Sequence, residues 1–138
     1  MSGRPLTPAL SVDNSNTGNS GSIFGQDRPH LVGSPQLSNP TPERFFDPAA
    51  FAIPAALSFG TAGRNVLRGP GLATVDLALV RTFELGERLR LDLRGEAFNI
   101  ANRANFDLPQ RFVDQPTFGS ITAAGAARQM QRGLRLSF

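Results

Sequence analysis

Three stretches of the chain alternate apolar and polar residues with a period of two, which restricts the possible folds more than any other feature of its 138 residues. In "LATVDLALVRTF", Val75, Leu77, Leu79 and Phe83 fall on one side, and Asp76, Ala78, Val80 and Thr82 on the other. In "LRLDLRGEAFNIA", Leu89, Leu91, Leu93, Gly95 and Ala97 oppose Arg90, Asp92, Arg94 and Glu96. In "RQMQRGLRLSF", Met130, Leu134, Leu136 and Phe138 alternate with Gln129, Gln131, Gly133, Arg135 and Ser137, and only Arg132 is out of place. A helix would scatter these charges around its axis, whereas an extended strand separates them cleanly. The alternation therefore predicts an all-β fold with antiparallel strands over 72–83, 89–101 and 128–138. "ELGER" forms a short turn around Gly86, and 100–127, rich in Asn, Gly and Ala, reads mainly as loop.

The first half differs in character. Nine of the 11 prolines lie at or before Pro70, and "DNSNTGNSGS" at 13–22 offers almost nothing to bury. Thr41 before Pro42 and Asp47 before Pro48 can each cap a short helical turn. Residues 1–71 thus read as one long irregular loop, expected to be poorly packed, followed by the strand region 72–138. A structureless loop of that length is unusual in a compact domain and calls for a special setting.

The predicted strands run for about 11–13 residues, near the roughly 9–11 that cross a bilayer at a tilt and longer than the usual soluble strand. Long and short connections also alternate, as in an outer-membrane β-barrel. A soluble antiparallel meander with one wet face alternates in the same way, so both architectures stand at this point.

Composition excludes several functions. The 14 basic residues are all Arg, but 11 acidic residues are interleaved with them, and no one-sign arm for nucleic acid exists. The absence of Cys removes disulfides and thiolate chemistry, and the single His30 cannot build a His-rich metal site. No apolar run reaches the length of a membrane helix, and residues 1–25 lack the apolar core of a signal peptide, so export would depend on a segment upstream. "DNSNTG" from Asp13 to Gly18 resembles a calcium loop only until its twelfth position, where Phe24 replaces the required Glu. "GPG" at 69–71 lacks the Lys and Ser/Thr of a phosphate loop and reads as a turn at a strand entrance. Asp92 and Glu96 share a face but are flanked by Arg90 and Arg94, which fits a charge ladder better than acid–base catalysis. No catalytic residue, cofactor or metal site is expected, and the chain does not read as an enzyme.

Over nearly its whole length the sequence resembles the C-terminal barrel of TonB-dependent, Oar-like outer-membrane receptors. "GRNVLRGPG" and "RGEAFNIANRANF" carry the resemblance most specifically, with "NPTPERFFDPAAFAIP" and the ending "FGSITAAGAARQMQRGLRLSF" in support. Ala101 stands where a second Phe is common in that group. The resemblance implies location in the outer membrane of a Gram-negative envelope, contact with its lipid, and a C-terminal strand read by the barrel-assembly machinery through Leu134, Leu136 and Phe138. It implies a periplasmic Leu85-Gly86-Glu87 turn, extracellular 1–71 and 100–127, and lumen-facing Asp76, Arg90, Asp92, Arg94, Glu96 and Arg135. Three strands cannot close a barrel. The chain is accordingly expected to be a C-terminal fragment unable to transport alone, reaching TonB only through a plug missing from this sequence. The competing expectation is a secreted or surface-associated β-rich binding module without transport activity.

If the terminal aromatic is an assembly signal, Phe138→Leu in the full receptor lowers heat-modifiable folded barrel in outer-membrane fractions more than Leu79→Ala does. Equal amounts from wild type and a Phe138 deletion would leave Phe138 as an ordinary strand end.

Overall fold

In the computed structural model, which describes residues 3–19 and 26–138, extended backbone dominates. The strands are β1 Pro5–Leu6, β2 His30–Leu31, β3 Phe51–Ala52, β4 Leu67–Arg68, β5 Leu77–Glu84, β6 Arg90–Phe98 and β7 Gln129–Ser137. A 3-10 turn at Pro48–Ala50 is the one helical element among the described residues. The chain divides into two compact units, Met1–Gly71 with Phe106–Ala124, and Leu72–Asn105 with Gly125–Phe138.

The second unit is an antiparallel sheet ordered β5-β6-β7, with β6 in the centre. Gly86, at φ +91°, forms the β5–β6 turn in a left-handed conformation that a side chain would strain. Leu85 N–H donates to the Leu89 carbonyl at 2.7 Å and closes that turn. The strands are shorter than the alternation predicts. Asn99, at φ +49°, turns the chain out of the ladder just after Phe98. Before Leu77 the backbone bonds elsewhere: Ala73 N–H to Asn105 Oδ1 at 3.0 Å, and the Val75 carbonyl accepts from Ile100 N–H at 2.9 Å.

The first unit corrects the expectation of a poorly packed loop. Apart from Ala97, every buried apolar residue among those described belongs to it. Leu6, Phe46, Ala50, Phe51, Ala62, Leu67 and Phe118 form one cluster. The rings of Phe46, Phe51 and Phe118 meet edge to face, with centroids 5.0 to 6.0 Å apart. Each such pair adds about 0.5–1.5 kcal/mol beyond the area it buries. Phe118 explains why 106–124, read with the second half in the sequence, packs here. Backbone bonds reinforce it: Ala9 N–H to the Arg111 carbonyl and Val113 N–H to the Ala9 carbonyl, both 3.0 Å, and Phe45 N–H to the Gly119 carbonyl at 2.8 Å.

Two short ladders frame this cluster. Leu6 pairs with Leu67 between β1 and β4, and Leu31 with Phe51 between β2 and β3. Asp47 caps the Pro48–Ala50 turn by accepting from Ala49 N–H at 3.2 Å, and Arg44 donates to the same carboxylate at 2.6 Å. The Arg44 bond holds the Asp47 carboxyl below its ordinary pKa. Thr41 does cap a turn, its hydroxyl accepting from Arg44 N–H at 3.2 Å, but no helix follows. Gly69 does not sit at the entrance of β5; it extends the β1–β4 ladder by donating to the Arg4 carbonyl at 2.8 Å.

Phe46→Ala should remove about 3–5 kcal/mol from this cluster. In the full-length protein, protease cleavage within 30–70 should then accelerate while the β5–β7 sheet stays protected. Unaltered protection of 30–70 would mean that the aromatic cluster does not hold this unit together.

Candidate functional site

The β5–β7 sheet has two chemically opposite faces, created jointly by alternation and register. Alternation sorts residues within one strand. Register decides whether neighbouring strands agree, because directly paired residues point to the same side. Here they agree in successive rows. Phe83 pairs with Leu91 and Leu91 with Leu136; Leu93 pairs with Leu134; Leu77 pairs with Ala97 and Ala97 with Met130. Leu79, Leu134 and Met130 are at least 70% exposed, an apolar surface that the sheet itself leaves uncovered.

Two arginines interrupt that face. Arg132 pairs with Gly95, as its out-of-place position suggested. Arg81, passed over in the sequence because its neighbours dominate the pattern, pairs with Leu93 and lies with Cζ 5.3 Å above the Phe83 ring. Long arginine stems can cover apolar surface while the charged head reaches a polar boundary.

The opposite face collects the charges. Arg90, Asp92, Arg94, Glu96 and Arg135 all occupy it, with Asp92 directly opposite Arg135. Their partners differ in part from the ladder read in sequence. Arg94 does pair with Glu96, at 2.5 Å, and Gln131 Nε2 donates to the same carboxylate. Arg90 turns instead to Glu84, at 3.6 Å, and Asp92 accepts from the Thr82 hydroxyl at 2.6 Å. The Arg90–Glu84 pair is exposed on both sides and such pairs contribute little to stability, about 0–1 kcal/mol, so its value lies in the polar surface it presents. Asp76 stands just before β5, where Oδ1 accepts from Asn99 N–H at 2.9 Å.

Three asparagines that sequence reasoning passed over as loop residues organise the strand ends. Buried Asn99 donates from Nδ2 to the Arg103 and Ala126 carbonyls, at 3.0 and 3.2 Å, and accepts from Arg103 N–H. Asn102 Oδ1 accepts from Arg128 N–H, and Asn105 accepts from Ala73 N–H. The signal was their spacing of three in "NIANRAN", together with the tolerance of Asn for left-handed backbone, used here at Asn99 and Asn102.

At the chain end, Leu134 and Leu136 share the apolar face, while Phe138 lies one residue past β7 and is almost fully exposed. In the polar loop, Asp13 accepts from Thr17 N–H at 3.1 Å and Gly18 N–H at 2.6 Å, so its carboxylate serves its own turn. Phe24, the failed twelfth position of the calcium-like loop, lies outside the described residues.

Residues 1–131 match the outer membrane beta barrel domain family. No curated protein and no solved structure matches the chain. An outer-membrane setting gives the uncovered apolar face its solvent, because strands in such barrels alternate apolar-out and polar-in. In the full-length protein in native membranes, a single cysteine at Leu91 should react with a lipid-phase label, and one at Asp92 only with a water-soluble label. Reversed labelling would place the two faces the other way round. The match covers nearly the whole sequence and agrees with the all-β structure: the chain belongs to the outer membrane beta barrel domain family and resides in the outer membrane.

Proposed function

We propose that the chain is the C-terminal part of a TonB-dependent, Oar-like receptor, moving a substrate across the outer membrane with energy delivered through a plug encoded elsewhere in the full protein. The observation that carries this reading is the sheet itself. Three strands present one apolar and one charged face, and β5 and β7 have open edges. In hydrocarbon such edges must be paired, because unsatisfied backbone groups there are costly. Further strands therefore complete the wall, and a large barrel supplies them. A binding module free of the membrane would leave the same apolar face in water.

In this reading Asp76, Arg90, Asp92, Arg94, Glu96 and Arg135 line the lumen. The first unit stands outside the cell, the Gly86 turn faces the periplasm, and Leu134, Leu136 and Phe138 address the assembly machinery. The receptor performs no covalent chemistry, and its specificity lies in the extracellular loops. The specific resemblance of "GRNVLRGPG" and "RGEAFNIANRANF" to Oar-like receptors supports the TonB-dependent class within the barrel family.

Formaldehyde cross-linking of intact cells tests the coupling. The full-length protein should be recovered as a heat-modifiable barrel cross-linked to TonB. A heat-modifiable barrel with no TonB adduct would make this a barrel of another class.

A further inference from the structure

The first unit contains an open cavity of about 510 Å³, within the range of small-molecule sites. Its charge is strongly unbalanced. Arg28, Arg64 and Arg111 line it, against a single carboxylate, Asp27. That carboxylate is only 3% exposed and is already satisfied by Ser15 N–H at 2.6 Å, Ser15 Oγ at 3.0 Å and Asn19 Nδ2 at 3.0 Å. Burial raises the Asp27 pKa, but the bonds from Asn19 and Ser15 outweigh it and leave the carboxyl below its ordinary value. None of the three arginines forms an ion pair among the described residues. The cavity wall therefore carries a net charge of about +2, and concave walls of one sign concentrate counter-ions.

Two of the arginines are also held in place. Arg111 donates to Gln26 Oε1 at 2.5 Å and lies with Cζ 4.7 Å over the Phe112 ring. Arg28 is positioned through its backbone. Gly60 packs so closely that a Cβ there would lie 2.1 Å from the Arg28 carbonyl oxygen and 2.3 Å from that of Pro29. Only glycine permits that approach. Ala62 N–H then donates to the Pro29 carbonyl at 3.0 Å. Phe59 adds an exposed ring to the cavity wall, suited to the apolar part of a small organic molecule.

We propose that this cavity binds a small organic anion bearing carboxylate or phosphate groups, gripped by Arg28, Arg64 and Arg111. Guanidinium groups suit both, since they offer planar paired donors to two oxygens at once. Calling the anion the transported substrate rests on the receptor reading above; the binding itself does not.

The test is calorimetric titration of the detergent-purified full-length protein with citrate, inorganic phosphate and glucose. At least one of the two anions should bind, more weakly as salt is raised, while glucose should not. Arg64→Gln, an exposed position, should weaken that binding at least about tenfold with the barrel still heat-modifiable. Gly60→Ala should also weaken it, by displacing Arg28, whereas Arg44→Gln, away from the cavity, should leave it unchanged. Binding of neither anion, or equal binding by wild type and Arg64→Gln, overturns the proposal. Because the readout does not involve TonB, this failure is distinct from failure of the cross-link.

Discussion

The register of β5 and β7 against β6 is the constraint on which the rest of the barrel segment depends. Each strand alone offers two faces, but only agreement between strands yields a surface that lipid can wet. A slip of one residue would bring Leu91 opposite a polar position and expose alternating charges on both sides. The five-residue connection from Leu85 to Leu89 prevents that slip at one end, since Glu84 must then meet Arg90. Asn99, Asn102 and Asn105 hold the other end through backbone carbonyls and amides.

The two units solve opposite burial problems. The first brings its phenylalanines together from distant positions, Phe46 and Phe51 from one segment and Phe118 from another. Apolar area withdrawn from water contributes about 25 cal/mol per Å², so three rings in contact are a natural nucleus for a Pro- and Gly-rich stretch with little regular structure. The sheet, by contrast, leaves Leu77, Leu79, Leu134 and Met130 outward. In water this would be a liability. In a bilayer it is the surface that anchors the strand, and the polar groups of the opposite face remain hydrated.

Arginine plays different parts in the two units. On the sheet, Arg90 and Arg94 are matched by Glu84 and Glu96 on the same strand or its neighbour, giving a polar surface of mixed sign. Around the cavity of the first unit the one carboxylate is taken up by neutral donors, which leaves its three arginines without an acidic counterpart among the described residues. One residue type thus provides a balanced wall in one place and a positive recess in another. The difference comes from the neighbours that the fold supplies.

The all-β class, the three strands and their opposed faces were legible in the sequence, because a period of two is a local property that each strand states by itself. The position of Arg132 on the apolar face was legible for the same reason, and the Asp47 cap followed from its place directly before Pro48. The packing of 1–71 was not legible. Phe118 lies far along the chain from Phe46, and no periodicity links them; only the fold brings their rings to 5.0 Å. The strand limits were overestimated, since left-handed backbone at Asn99 ends a ladder that side-chain alternation would have continued. The arginine-lined cavity was equally hidden, because Arg28, Arg64 and Arg111 have unremarkable neighbours in sequence. Local pattern thus decided the strands and the solvent each face requires. Long-range packing alone decided which loops fold together and where their arginines converge, since such contacts depend on chain closure rather than on any repeat along the chain.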